Sequence, residues 1–270
     1  MLCHHGRSLS GVGLYRERGV VVRTWKLGEA DRIVSLVTEG RGKVRAVAKG
    51  VRKTSSRFGS RLEPMSHVSL LMYEGRNLDI VSQAETIDHF KALREDLDRL
   101  GRATAILEAV DAVVQEGQHA PRLYRMLVGA LRSLSAKDSP LVVPAFFWKL
   151  LAEEGVSPIL DECASCGSTD ELVAFELLEG GTLCRSCRRG TGLSPDALLL
   201  LRRILGGDLV AVLAEPPSGA GYEVEHLATR ALEHHLERRL KALSFDPAAD
   251  ARSLASPSMS DGRLRTTGRA

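Results

Sequence analysis

The apolar positions of this chain change period near residue 85. From Tyr15 to Glu85 they fall in short β-branched runs separated by polar turns. Runs at 19–25, 33–38, 43–48, 67–73 and 78–82 predict five short strands, with turns at Glu39-Gly-Arg-Gly42 and Glu74-Gly-Arg-Asn77. Five strands of this length suit a small closed barrel, and the OB-fold is the commonest such barrel that binds nucleic acid.

Beyond Ala84 the apolar residues recur at three and four. Leu93, Leu97 and Leu100 are followed by Ile106, Leu107, Val110, Val113 and Val114. Pro121 opens a second helix with Leu123, Leu127, Leu131 and Leu134 on one stripe. Pro144 sits in the first turn of a third that stops at Gly155. Ser194-Pro195 is an N-cap followed by proline at the first helical position. A last helix is predicted over 223–243, with Leu227, Leu232, Leu236, Leu240 and Leu243 inward. The expected fold class is α+β: a five-stranded OB-fold barrel over 14–88, then an all-helical domain over 89–160 and 191–245. A cysteine module at 161–190 interrupts the helices. Residues 1–13 are expected to be a flexible extension and 246–270, rich in Ser, Ala, Gly and Arg, a disordered tail.

Composition adds one constraint. With 44% hydrophobic but only 4% aromatic residues, the core must be built from Leu, Val and Ala. The net charge of +3 is uninformative taken whole, but its distribution is not. Residues 14–90 carry fourteen Lys/Arg against nine Asp/Glu, 91–160 nine against nine, and 161–190 three against six. A polyanionic partner is therefore expected on the barrel.

Cys163-Ala-Ser-Cys166 and Cys184-Arg-Ser-Cys187 form the strongest motif. Two residues between paired cysteines turn both thiolates toward one point, and two such knuckles give the tetrahedral donor set of a closed structural Zn²⁺ site. Four thiolates leave no open position for water or substrate. Paired disulfides are the alternative, but the N-terminus lacks a secretory apolar run and no segment is long and apolar enough to span a bilayer. Cys3, beside His4 and His5, is expected to belong to a frayed terminus.

Between Glu39 and Glu63 there is no acid and there are eight bases: Arg41, Lys43, Arg45, Lys49, Arg52, Lys53, Arg57 and Arg61. The stretch after Gly50 mixes them with Ser and Thr, as suits a loop that follows a phosphate backbone. Phe58 within it is a candidate to stack on a base. Glu29 and Asp31 are the one acidic pair with a conceivable metal role, though a polar turn is the commoner outcome. Gly40-Arg-Gly-Lys43 lacks the spacing of a phosphate-binding loop, and His234-His235 suit a helix surface. No nucleophile–base arrangement stands out, so an enzyme is not expected.

Together these segments resemble the RecO family of bacterial DNA repair proteins over residues 14–243. The resemblance is carried by Leu14–Arg23, Gly28-Glu-Ala-Asp-Arg32, Gly42-Lys-Val44, Ala48-Lys-Gly-Val-Arg52, Leu62-Glu-Pro64, the four-cysteine insert and His235–Leu243. It implies a recombination mediator that binds single- and double-stranded DNA, anneals complementary strands, and works in the cytoplasm at the nucleoid. It implies partnership with RecR and with the acidic tail of single-stranded DNA-binding protein, so that RecA is loaded. It carries the DNA-binding role onto Arg23, Lys43, Lys49, Arg52, Lys53 and Arg57, and zinc onto the four cysteines. An acidic, Phe-ended tail needs an apolar groove with a basic rim, for which Arg122, Arg125 and Arg132 beside Leu127 and Leu131 are the candidates. The rival readings are a zinc-stabilised RNA-binding or transcription factor with an OB-like barrel, and a metal-dependent nuclease using Glu29 and Asp31.

Overall fold

The computed structural model describes residues 13–53, 56, 58–137 and 139–243. The expected flexible extension (all but Gly13), Cys3 and the expected tail lie outside the described residues.

Five strands close a barrel in the order β1-β2-β3-β5-β4. They are β1 (Leu14–Leu27), β2 (Asp31–Thr38), β3 (Gly42–Ala48), β4 (His67–Tyr73) and β5 (Asp79–Asp88). All neighbours are antiparallel except β3 and β5. The interior is filled by Val21, Val34, Leu36, Ala46, Val68, Leu70, Met72 and Val81, with Leu62 and Phe58 from the β3–β4 connection. Phe58 is 1% exposed, so it has no ring face to offer a base. The expected stacking role is corrected: the loop that looked polar throughout folds its one aromatic back into the barrel.

The outer face of the barrel is apolar where the helices meet it. Val20, Val22, Val37 and Met65 belong to the helical core, not to the barrel interior. This core is built from α1 (Lys91–Arg94), α2 (Leu97–Val113), α3 (Pro121–Ala136), α4 (Val142–Glu153), α5 (Pro195–Gly206), α6 (Leu209–Val212) and α7 (Gly219–His235). Every residue from Val142 to Trp148 on α4 is buried, the mark of a helix surrounded on all sides. Asp96 caps α2 by accepting from the Asp98 and Arg99 amides, and Ser194 caps α5. Leu97, expected on the inward stripe, is 76% exposed because the cap sets it on the outer side of the first turn.

Three further strands lie between α4 and α5: β6 (Leu172–Glu176), β7 (Gly181–Cys184) and β8 (Thr191–Gly192), in the order β7-β6-β8. Phe175 packs edge-on against Trp148 of α4, ring centroids 5.6 Å apart, so cysteine module and helices share one core. The last helix begins at Gly219, capped by Ser218, and ends at His235 instead of running to residue 243. Glu237 takes a left-handed backbone (φ 51°), and the chain turns back. Leu240 is still buried, but off the helix; Glu108 of α2 accepts from the amides of Lys241 and Ala242 to hold that turn. No helix among the described residues is long and apolar enough to cross a membrane.

Barrel and helices also meet closely at Gly42 and at His67. Gly42 adopts φ 65° and touches the α2–α3 loop so closely that a Cβ there would lie 1.6 Å from the Gln118 carbonyl oxygen. His67 of β4 is buried with its Nε2 2.7 Å from the Tyr124 hydroxyl of α3. Burial first, and then the charge of Arg132, hold the imidazole below its ordinary pKa. The unfolded chain therefore binds the proton more readily, and stability rises with pH through this window. The contribution of His67 is complete above its unfolded value of about 6.5 and is lost as pH falls from there through the lower folded value. Melting temperatures measured from pH 8 to pH 5 are expected to fall less steeply for His67→Phe than for the native chain, whatever the variant's baseline. Equal slopes would contradict the assignment.

Candidate nucleic-acid interface and metal centre

The cations singled out in the sequence fall into two groups. The first is held by acids and aromatic rings of the molecule itself. Lys43 Nζ lies 2.8 Å from the Asp111 carboxylate and donates to the Asp111 carbonyl at 2.6 Å. Arg23 reaches the other carboxylate oxygen at 3.4 Å, and the Ser35 hydroxyl donates at 3.3 Å. The Asp111 side chain is only 10% exposed, so this is a nearly buried junction between barrel and α2. Arg45 pairs with Glu116 at 2.5 Å, Arg41 lies over the Tyr15 ring at 3.8 Å and near Glu74, and Arg61 donates to the Phe58 carbonyl. Lys43 thus points into the domain junction, which corrects its expected role as a phosphate contact. A lysine that has a nearly buried carboxylate as partner costs too much to withdraw.

The second group is exposed and gathered at one end of the barrel. Lys49, Arg52 and Lys53 follow β3. Their turn is tied to the β1–β2 turn by three bonds: Gly50 N–H to the Asp31 carboxylate (2.7 Å), Arg52 N–H to the Ala30 carbonyl (2.9 Å) and the Arg52 guanidinium to the Gly28 carbonyl (3.0 Å). Asp31 is thereby a loop acceptor. Arg57 lies outside the described residues.

The candidate partner groove does not form. Leu127 and Leu131 are wholly buried in the helical core, so they cannot line a surface groove. The error came from treating one helical stripe as both core and docking face. Arg122, Arg125 and Arg132 are exposed, and Arg122 pairs with Glu153 at 3.0 Å.

The four cysteine sulfurs lie within 4.8 Å of one another. Cys163 and Cys184 are buried, Cys187 is half-buried and Cys166 exposed. The first knuckle is shaped by Cys163 N–H donating to the Ser168 carbonyl and Gly167 N–H returning to Cys163. The second follows β7 as a short 3-10 turn at Arg185–Cys187. Cys166 and Cys184 sulfurs are 3.7 Å apart, far beyond a disulfide bond of about 2.05 Å. That spacing matches the edge, about 3.8 Å, of a tetrahedron with metal–sulfur bonds near 2.3 Å. A backbone hydrogen bond from Cys184 draws the Cys163 thiol down to about 6, while hydrogen bonding with Cys166 pushes Cys187 up to about 12. Without a cation the four cannot all ionise together; a divalent ion is what such a set accommodates. Arg185 and Arg189 pair with Glu171 and Glu179 of the same module.

Sequence reasoning missed Asp111, whose partners are 68 to 88 residues away, and Trp25, which is exposed on β1 under the Arg23 guanidinium at 5.1 Å. The local run Arg23-Thr-Trp25-Lys26 carried the signal for the latter.

Sequence models of known families match nearly all of this architecture. The model described as "Recombination protein O N terminal" covers residues 12–90, and "Recombination protein O C terminal" covers 94–244. A protein named DNA repair protein RecO from Nocardioides sp. is 43% identical over 242 residues, 86% of this chain and 98% of the relative.

The metal centre carries a direct expectation. Elemental analysis should find one ion per chain, and Cys184→Ser should lower the melting temperature by about 5 °C or more. Metal-free native protein as stable as the loaded form would contradict it.

Proposed function

The chain belongs to the recombination protein O family, whose role is DNA repair and recombination, and on that premise we propose that it is a non-enzymatic mediator. It binds single- and double-stranded DNA through the exposed cations at one end of its barrel, anneals complementary strands, and with RecR helps load RecA onto DNA coated by single-stranded DNA-binding protein. The observation that carries this reading is the division of cations. Internal acids hold Lys43 and Arg45, while Lys49, Arg52 and Lys53 remain exposed on a turn braced against its neighbour. Braced cations neutralise phosphates with little ordering cost and release counterions. Two strands held beside one such cluster, with their repulsion screened, pair faster, and no nucleotide hydrolysis is required.

Cys163, Cys166, Cys184 and Cys187 hold Zn²⁺ in this reading. The ion cross-links strands of the module that packs on α4, and its role is folding free energy, not chemistry. The tail of single-stranded DNA-binding protein docks on the helical domain; Arg122, Arg125 and Arg132 are exposed there for an acidic peptide, with Leu127 and Leu131 no longer part of the site.

The test is strand annealing without ATP, on complementary strands coated with single-stranded DNA-binding protein. The native chain is expected to accelerate duplex formation. Lys49→Glu, Arg52→Glu and Lys53→Glu together are expected to abolish most of that acceleration in a protein that still folds. A folded triple variant as fast as the native chain would overturn the assignment to this end of the barrel, and a native chain without effect would overturn the function.

A further inference from the structure

β1 carries a bulge that changes which side chains face outward. Val21 points into the barrel, and strict alternation would send Arg23 and Trp25 inward after it. The register shifts between Val21 and Arg23, so Arg23 pairs with Ser35 and Trp25 with Ile33. On β2, Val34 and Leu36 are the inward residues, which leaves Ile33 and Ser35 outward. Ser35 and Arg23 both reach Asp111 on the helical side, which fixes the direction independently. Ile33 in turn pairs with Val47 of β3, whose neighbours Ala46 and Ala48 face in. The result is an outward row, Trp25–Ile33–Val47, that continues through Ile80 of β5 to Tyr73 of β4. Each of its members is partly exposed, Trp25 at 36%.

The Trp25–Val47 end of this row is bordered by cations. Arg23 stands over the indole at 5.1 Å with 53% of its side chain exposed. Lys49 ends the strand side on which Val47 lies, beside the exposed Arg52. The acid nearest the row on β2, Asp31, accepts from the Gly50 amide and is held back in the turn. An apolar row one residue wide, with cations beside its Trp25–Val47 end, suits a ligand that alternates flat apolar surfaces with negative charge. A stacked protein surface would need a broader apolar area.

We infer that this row takes unpaired bases of a single-stranded nucleic acid, with Trp25 as the stacking surface and Arg23 and Lys49 beside the sugar–phosphate chain. The inference rests on the DNA-binding role proposed above and adds how the barrel selects strand form. A duplex presents stacked bases with no open ring face, so Trp25 contributes only to single strands. The cations at Lys49, Arg52 and Lys53 serve both forms alike.

Trp25 and Trp148 are the two tryptophans of the chain, and Trp148 is 1% exposed, so an oligonucleotide that quenches indole fluorescence reports on Trp25. Titration with oligothymidylate is expected to quench the native chain and not Trp25→Phe. Trp25→Ala is expected to weaken oligothymidylate binding about tenfold, the effect of one base–aromatic contact. Trp25→Phe retains most of the affinity, and all three proteins bind a blunt duplex equally. Unchanged oligothymidylate affinity in a folded Trp25→Ala variant, an equal loss on duplex, or no quenching of the native chain would each overturn the inference while leaving the DNA-binding role standing. A native chain that binds neither form overturns both.

Discussion

The Asp111 carboxylate is the interaction on which the arrangement of this molecule turns. It lies almost buried on α2 and collects three donors from three different strands: Arg23 of β1, Ser35 of β2 and Lys43 of β3. A single carboxylate thereby fixes the face that the barrel presents to the helices. Behind it Val20, Val22 and Val37 leave water for the helical core. The apolar contact is favourable but undirected; the ionic junction, where withdrawing one partner would strand a buried charge, gives it orientation.

Orientation decides chemistry in turn. While α2 and the α2–α3 loop claim Lys43 and Arg45, Lys49, Arg52 and Lys53 stay exposed at the other end of β3. The bulge in β1 works with this. It keeps Arg23 on the side of Asp111 and brings Trp25 out beside it, so that structural junction and ligand face share neighbouring rungs of one sheet. The cysteine module packs on α4 through the Phe175–Trp148 contact and shares the helical core.

Much of this was legible in the sequence, and the parts that were not share a cause. The change from period two to period three-and-four located barrel and helices because alternation is a local property of each strand. The four cysteines were legible for the same reason: two residues between paired thiolates already dictate a knuckle. Phe58 was misjudged because its neighbours are polar, while its burial depends on a barrel that closes only when distant strands pair. Lys43 was misjudged because its partner lies 68 residues on. Leu127 and Leu131 show a different failure, since their helical stripe predicted burial correctly and the docking role assigned to them contradicted it. The early end of α7 rests on Glu237 adopting a left-handed backbone, for which no glycine or asparagine gave a warning.

The most direct test of this division of cations is the salt dependence of binding to a single-stranded oligonucleotide. Neutralising Lys49, Arg52 and Lys53 to Gln should reduce the magnitude of the log affinity against log salt slope by about 2, at roughly 0.7 for each phosphate no longer neutralised. Lys43→Gln, in a folded protein, should leave the slope as it is. A slope that falls when Lys43 is replaced and persists without the other three would contradict the account.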